Sequence, residues 1–279
     1  GNTVYNMPFA WIIDGPFEPE RLEMAMLKLI RVHEAMRTCF VQKNDEISQL
    51  VLHKLDFTLN NTFLEHSKNN DIDDCIDDHV DGHIERIIRN FIHPFELSTA
   101  PLWRMELVQL KPEKFILLFD IHHIIFDGMS LGIFLRDLIT FYNGGEVEEL
   151  EFQYVDFTIW QNEEFEGDLI KQQGEFWSKE LSGELPRLEL PSDYPRTRQL
   201  DTNGNALRFD LNQGLIEKLN RLAHQEKVTL NILFLTAFNV LLSRYSGQQE
   251  LVTGGVVHGR SHKEFEDIIG MFVNTLVLR

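Results

Sequence analysis

His122-His123-Ile124-Ile125-Phe126-Asp127-Gly128 closes the apolar run Phe115-Ile116-Leu117-Leu118-Phe119-Asp120-Ile121. It precedes Met129-Ser130-Leu131-Gly132-Ile133-Phe134-Leu135, which has helical spacing. Two histidines therefore fall where a strand runs out into a loop, with a carboxylate and a glycine before the next helix. A titratable imidazole at a strand end suits proton handling at an acyl group. Asp127 stands four residues beyond His123, and Gly128 permits close backbone approach.

Outward from this stretch, strands and helices alternate. Tyr5 to Ile13 reads as a strand, and Pro19 to Val32 as a helix with Leu22, Met26, Leu29 and Ile30 on one face. Cys39–Gln42 and Ser48–Leu52 read as a hairpin around Lys43–Glu46, and 74–92 as a helix. Trp103–Leu110 pairs with Phe115–Ile121, followed by helices at about 129–142 and 164–181. The proline-containing stretch Leu190-Pro191-Ser192-Asp193-Tyr194-Pro195-Arg196 reads as a linker. After it come a strand at Ala206–Leu211, helices at Gln213–Gln225 and Leu230–Tyr245, a strand at Leu251–Val257 and an apolar run at Met271–Leu278. Alternation in both halves predicts an α/β protein of two lobes, residues 1–185 and 186–279.

Composition narrows the function classes. A net charge of −18 repels nucleic acid and anionic membranes, so neither is an expected partner. The acidic run Asp71, Asp73, Asp74, Asp77, Asp78, Asp81 and Glu85 reads as a solvated helix face or loop. Cys39 and Cys75 lack the spacing of a zinc site or disulfide framework, which fits a reduced, cytoplasmic setting. The N-terminal residues lack a basic region followed by an apolar core, so no signal peptide is expected. No apolar run is long enough to span a bilayer. Adjacent residues of an extended chain face opposite ways, so His122 and His123 would poorly share a metal ion. Neither a Gly-x-Ser-x-Gly elbow nor a glycine-rich phosphate loop occurs.

The histidine stretch resembles His-His-x-x-x-Asp-Gly of the condensation domains of nonribosomal peptide synthetases. Three further segments resemble that family in the right order. Arg31-Val32-His33-Glu34-Ala35-Met36-Arg37-Thr38-Cys39-Phe40 is similar to Arg-His-Glu-x-Leu-Arg-Thr-x-Phe, with Val32 inserted and Met36 in place of Leu. Tyr154-Val155-Asp156-Phe157-Thr158-Ile159-Trp160 is similar to Tyr-x-Asp-Phe-x-x-Trp. Gly270-Met271-Phe272-Val273-Asn274-Thr275-Leu276-Val277-Leu278-Arg279 is similar to Gly-x-Phe-Val-Asn-Thr-x-x-x-Arg. Two departures stand out. The family's opening Ser-x-x-Gln segment is missing before Tyr5-Asn6, and the family's domain continues past the Asn-Thr segment.

The resemblance implies two chloramphenicol-acetyltransferase-like lobes in a V shape, with the C-terminal lobe incomplete in this chain. It implies peptide-bond formation between a donor acyl or peptidyl thioester and an acceptor aminoacyl amine, as in antibiotic biosynthesis. The expected partners are upstream and downstream peptidyl carrier proteins and an adjacent adenylation domain. The carrier proteins bring phosphopantetheine arms, so no cofactor or metal of the domain's own is expected. His123 is expected to carry the chemistry, as base or as positioner, with His122 supporting the strand. Asp127 is expected in an ion pair, with Arg37 as first partner and Arg279 as second. Gly128 is expected to let the backbone approach the substrate arm. Ser130 reads first as a helix cap. Phe126, Ser130 and Asn274 are candidates for lining a substrate tunnel. Two alternatives stay open: an epimerisation-type relative, and a non-catalytic fragment that docks carrier proteins.

Overall fold

The computed structural model describes residues 2–63, 82–194, 204 and 206–279. Cys75, residues 71–81 of the acidic run, Pro195 and Arg196 lie outside the described residues.

A four-stranded sheet organises the first unit, residues 1–166 and 258–274. Its order is β1 (Asn6–Asp14), β6 (Lys114–His122), β5 (Trp103–Lys111) and β4 (Asn60–Phe63), with only β4 parallel to its neighbour. Strand β6 is central, and both of its faces are covered. Phe115, Leu117, Phe119 and Ile121 point into the larger core with α1 (Pro19–Val32) and α3 (Gly128–Tyr142). Ile116 and Leu118 point the other way, to Ile84, Ile87, Ile88 and Phe91 of α2 (Gly82–Phe91). Two covered faces explain why this strand reads as a near-continuous apolar run. Phe119 is fully buried and stacks on Phe134 at 4.5 Å between ring centroids. Burying such a side chain contributes roughly 1.5–3 kcal/mol.

The local signals explain most elements. Helix α1 starts with Pro19 in its first turn and buries Leu22, Ala25, Met26, Leu29 and Ile30, an i, i+3, i+4, i+7, i+8 stripe. Strands β2 (Thr38–Lys43) and β3 (Glu46–Val51) form the expected antiparallel hairpin. Its two loop residues, Asn44 and Asp45, have φ of 52° and 65°, the handedness a two-residue hairpin turn needs. The expected helix near 164–181 is instead two, α4 (Tyr154–Glu166) and α5 (Asp168–Glu180). Gly167, in extended conformation, separates them.

The second unit comprises residues 167–257 and 275–279, whereas the sequence reading placed a single boundary at 185/186. It contains α5, α6 (Gln213–Glu226), α7 (Leu230–Ser246) and a two-stranded sheet of β7 (Thr253–Val257) and β8 (Asn274–Leu278). Asn212 and Thr229 cap α6 and α7 by accepting from Leu215 N and Ile232 N. The strand expected at Ala206–Leu211 does not form among the described residues, and Leu207 and Phe209 are exposed. Among the described residues no strand lies alongside it to complete a ladder.

Candidate functional site

The end of β6 is held from both sides by backbone. His122 N donates to Leu102 O at 2.9 Å, and His123 N donates to Tyr5 O at 2.8 Å. His122 is the last residue of β6 and lies opposite Asn6 of β1. Its Nδ1 accepts from Ile124 N at 3.1 Å, and its ring meets Phe95 edge-on. Burial, then the neighbouring His123, holds the His122 imidazole below its ordinary pKa. His122 is therefore neutral with its proton on Nε2 and committed to the turn. His123 starts the short 3-10 turn His123–Ile125. It is half-buried, and its imidazole makes no hydrogen bond or ion pair among the described residues.

Asp127 caps α3 and is completely buried. Its Oδ1 accepts from Ser130 N at 2.8 Å and lies 2.7 Å from Ser130 Oγ. Arg260 Nη2 reaches Oδ1 at 3.1 Å and Oδ2 at 3.3 Å. Phe272 N donates to Oδ2 at 3.2 Å. Both carboxylate oxygens are thus saturated by groups other than an imidazole. Arg260 Nη1 also donates to Phe265 O and Ile268 O, each at 2.7 Å, its Nε has no hydrogen-bond partner among the described residues, and its guanidinium lies over the Phe272 ring at 3.9 Å. Burial pulls the Arg260 pKa down, and Asp127 opposes that shift.

Several sequence expectations are corrected here. Arg37 donates to Leu52 O at 2.6 Å and pairs with Glu34 at 3.3 Å. Arg279 bonds Glu250 at 2.6 Å and donates to Glu180 O and Ser182 O. Neither is the partner of Asp127, because a fully buried carboxylate takes the cation its own layer buries. Asp127 caps the helix, and Ser130 is the capped residue. The Ser130 hydroxyl instead accepts from Gly270 N at 3.1 Å and lies 2.9 Å from Gly270 O. Ser130 and Phe126 are fully buried, so neither faces open space. Phe126 packs against Phe119 and Phe134 in the larger core. Asn274 is exposed and opens β8. Gly128 is exposed, and a Cβ there would meet nothing within 4 Å.

Sequence reasoning missed Arg260 and the way 258–274 is seated. Tyr154 donates its hydroxyl to Met271 O at 2.6 Å. Burial, followed by the nearby Asp127 charge, pushes that phenol up to about 12. Gly270 lies directly under the Tyr154 ring, where a Cβ would sit 2.1 Å from Cδ2. That contact supplies a reason for a glycine ahead of the Phe-Val-Asn-Thr stretch. Met271 O and Phe272 N are taken by side chains, so β8 begins only at Asn274 instead of at Met271. Phe157, Trp160, Phe265 and Phe272 complete an aromatic cluster there. A second buried pair joins His33 Nε2 to Asp137 Oδ2 at 2.8 Å, with both side chains 1% exposed. Arg136 bridges Asp137 at 2.7 Å and Asp267 at 2.5 Å. The only advance signals were unspecific: an arginine between Gly259 and Ser261, and a histidine in the Arg31–Phe40 segment.

Among the described residues, no group of His, Cys, Asp and Glu converges as a metal site would require. No single described helix is long and apolar enough to cross a membrane. A family model described as "Condensation domain" matches residues 1–279. The chain belongs to the condensation domain family. Gramicidin S synthase 2 of Aneurinibacillus migulanus is 40% identical over 275 residues, which is 99% of this chain and 6% of that protein. The X-domain from teicoplanin biosynthesis superposes with a TM-score of 0.83 at 22% identity, covering 99% of this chain and 60% of that one. The epimerization domain from the third module of tyrocidine synthetase B gives a TM-score of 0.81 at 19% identity, covering 99% and 62%. The chain thus spans about 60% of those solved structures and a small part of its sequence relative. At these identities the two solved structures establish a shared mixed α/β fold alone. The condensation-domain assignment rests on the whole-length family match.

Proposed function

We propose that this condensation domain acts in peptide-bond formation between two carrier-bound substrates. The amine of an acceptor aminoacyl thioester attacks the carbonyl of a donor acyl or peptidyl thioester. A C–N bond forms, the C–S bond breaks, and the donor arm leaves as a thiol. The amine becomes acidic as it attacks, and the His123 imidazole accepts its proton or holds it in line. The observation that carries this reading is the contrast between two neighbours: His123 is uncommitted, whereas His122 and Asp127 are both consumed by structural bonds. Asp127 accordingly fixes the loop that carries His123. The open space beside Gly128 gives a substrate arm room at the N-terminus of α3.

Donor and acceptor carrier proteins, an adjacent adenylation domain and a cytoplasmic site of action belong to the same reading. So do two chloramphenicol-acetyltransferase-like lobes in a V; the division into two compact units supports the count of lobes alone. Asn274 stays a candidate for the substrate path. Phosphopantetheine arrives with the carrier proteins as part of the substrates. The Phe272-Val273-Asn274-Thr275 stretch favours condensation over epimerisation.

Loaded donor and acceptor carrier proteins, mixed with the parent protein and with His123→Ala, test this reading. The parent is expected to give a dipeptidyl thioester by mass spectrometry. The variant is expected to lose about 10²–10⁴-fold in rate with its fold intact. An inverted donor with no peptide would assign epimerisation, and binding of carriers without chemistry would assign a docking domain. Product from the variant at the parent rate would remove His123 from the chemistry.

A further inference from the structure

Asp120 lies two residues before His122, on the face of β6 that looks toward α2, and it is completely buried. Asn6 Nδ2 donates to its Oδ2 at 2.7 Å. Two atoms of this pair, Asp120 Oδ1 and Asn6 Oδ1, are buried and lack a hydrogen-bond partner among the described residues. Both are acceptors when Asp120 is ionised, and two orphaned buried acceptors on one hydrogen-bonded side-chain pair are costly. A proton on Asp120 Oδ1 would supply the donor that both atoms lack. The acid O–H then donates to the Asn6 carbonyl while the Asn6 N–H donates back, a closed acid–amide pair.

We infer that Asp120 is held as a neutral carboxylic acid, paired with the Asn6 amide, and that this pair positions His123. The path is short and continuous. Asn6 stands opposite His122 in the sheet, and the adjacent Tyr5 carbonyl accepts the His123 N–H at 2.8 Å. Asn6 Nδ2 also donates to His93 O at 3.0 Å, which anchors the start of β1 to the segment after α2. The charged or titratable groups around Asp120 are Arg104 on β5 and His93. Arg104 does not neutralise the carboxyl by hydrogen bonding. Its nearest nitrogen is 3.7 Å away, and the same nitrogen donates to Phe91 O at 3.0 Å and meets His93. Its guanidinium lies over Phe95 at 3.8 Å. Burial pushes the Asp120 carboxyl up, against the opposing Asn6 bond, the Arg104 and His93 charges and the Ile121 backbone N–H. A protonated carboxylic acid that donates a hydrogen bond from an apolar site has precedent in enzyme chemistry.

This inference rests on the assignment of His123 to the reaction, so its test includes readouts that do not depend on turnover. Infrared difference spectra of the parent chain against Asp120→Asn at neutral pH should show the carbonyl band of a protonated carboxylic acid in the parent only. Asp120→Asn keeps a neutral donor at the same place, so peptide formation should stay within about threefold of the parent. Asp120→Leu removes the donor. It should lower kcat more than tenfold with little change in KM, and shift the His123 ring resonance, assigned by its loss in His123→Gln. Should Asp120→Leu fail to fold, Asn6→Asp with Asp120→Asn exchanges the partners and should restore the parent resonance and rate. An absent acid band, or a collapse of activity in Asp120→Asn, would show an ionised carboxylate and overturn the inference. An intact acid band in a protein that makes no peptide would leave the acid–amide pair standing and refute the proposed reaction.

Discussion

Arg260 and Asp127 stand 133 positions apart, yet Arg260 Nη2 lies 3.1 Å from Asp127 Oδ1, with side chains 1% and 0% exposed. The pair ties the N-terminus of α3 to residues 258–274, and Ser130 and Gly270 add a second tie beside it. The loop that carries His123 is therefore fixed by a segment late in the chain. Burial makes the pair expensive to break one side at a time, since whichever charge remains has no water to solvate it.

Arg260→Ala should destabilise the protein by about 3–5 kcal/mol, because it leaves the Asp127 carboxylate buried without its cation. Arg37→Ala should cost less, about 1–2 kcal/mol, from the lost bond to Leu52 O. Urea denaturation of both variants checks the contrast. Equal losses would return Arg37 to candidacy as the functional partner.

Asp137 gives a pH dependence with a defined sign. Burial pushes its carboxyl up, but the bonds from His33 and Arg136 outweigh that and hold it below its ordinary value. A carboxylate depressed in the folded state contributes stability above its unfolded pKa, about 3.9. That contribution disappears as pH falls through the lower folded value. Stability measured from neutral pH into acid should therefore fall less steeply for Asp137→Asn than for the parent across this window. Parallel curves would show that the His33–Asp137 bond does not favour the charged form.

Tyr154→Phe should cost about 1–3 kcal/mol, because Met271 O loses its buried donor. Spectrophotometric titration of the folded parent should show a phenol near 12 that Tyr154→Phe lacks. The raised value means stability is intact below about pH 10, the unfolded value, and declines as pH rises toward 12. Gly270→Ala should be at least as damaging, since its methyl would collide with the Tyr154 ring.

Salt tests the proposed docking of carrier proteins. The chain carries −18, and carrier proteins are commonly acidic around the modified serine, so long-range repulsion should slow encounter at low ionic strength. Binding of a loaded carrier protein, followed by fluorescence anisotropy, should be unchanged or modestly stronger on moving to physiological salt. A steep loss would point to a concentrated basic docking face.

The local elements around the site are legible in the order of residues. The stripe of α1, the Asn44-Asp45 turn and the two-faced apolar run of β6 follow from periodicity and backbone preference, which act between near neighbours. The same applies to the place of His123 at the end of a strand, because a strand's end is written beside it. Which buried groups meet is set by packing. Arg37, Arg260 and Arg279 look alike in sequence, and Asp127 selects Arg260 because the returning segment 258–274 buries that cation in the same layer. Asp120 and Asn6 meet because β1 pairs with β6 across more than a hundred residues, a register that neither strand's composition specifies. Periodicity assigns a residue to a face; only packing brings two distant faces together and leaves a charge or a proton with a single place to go.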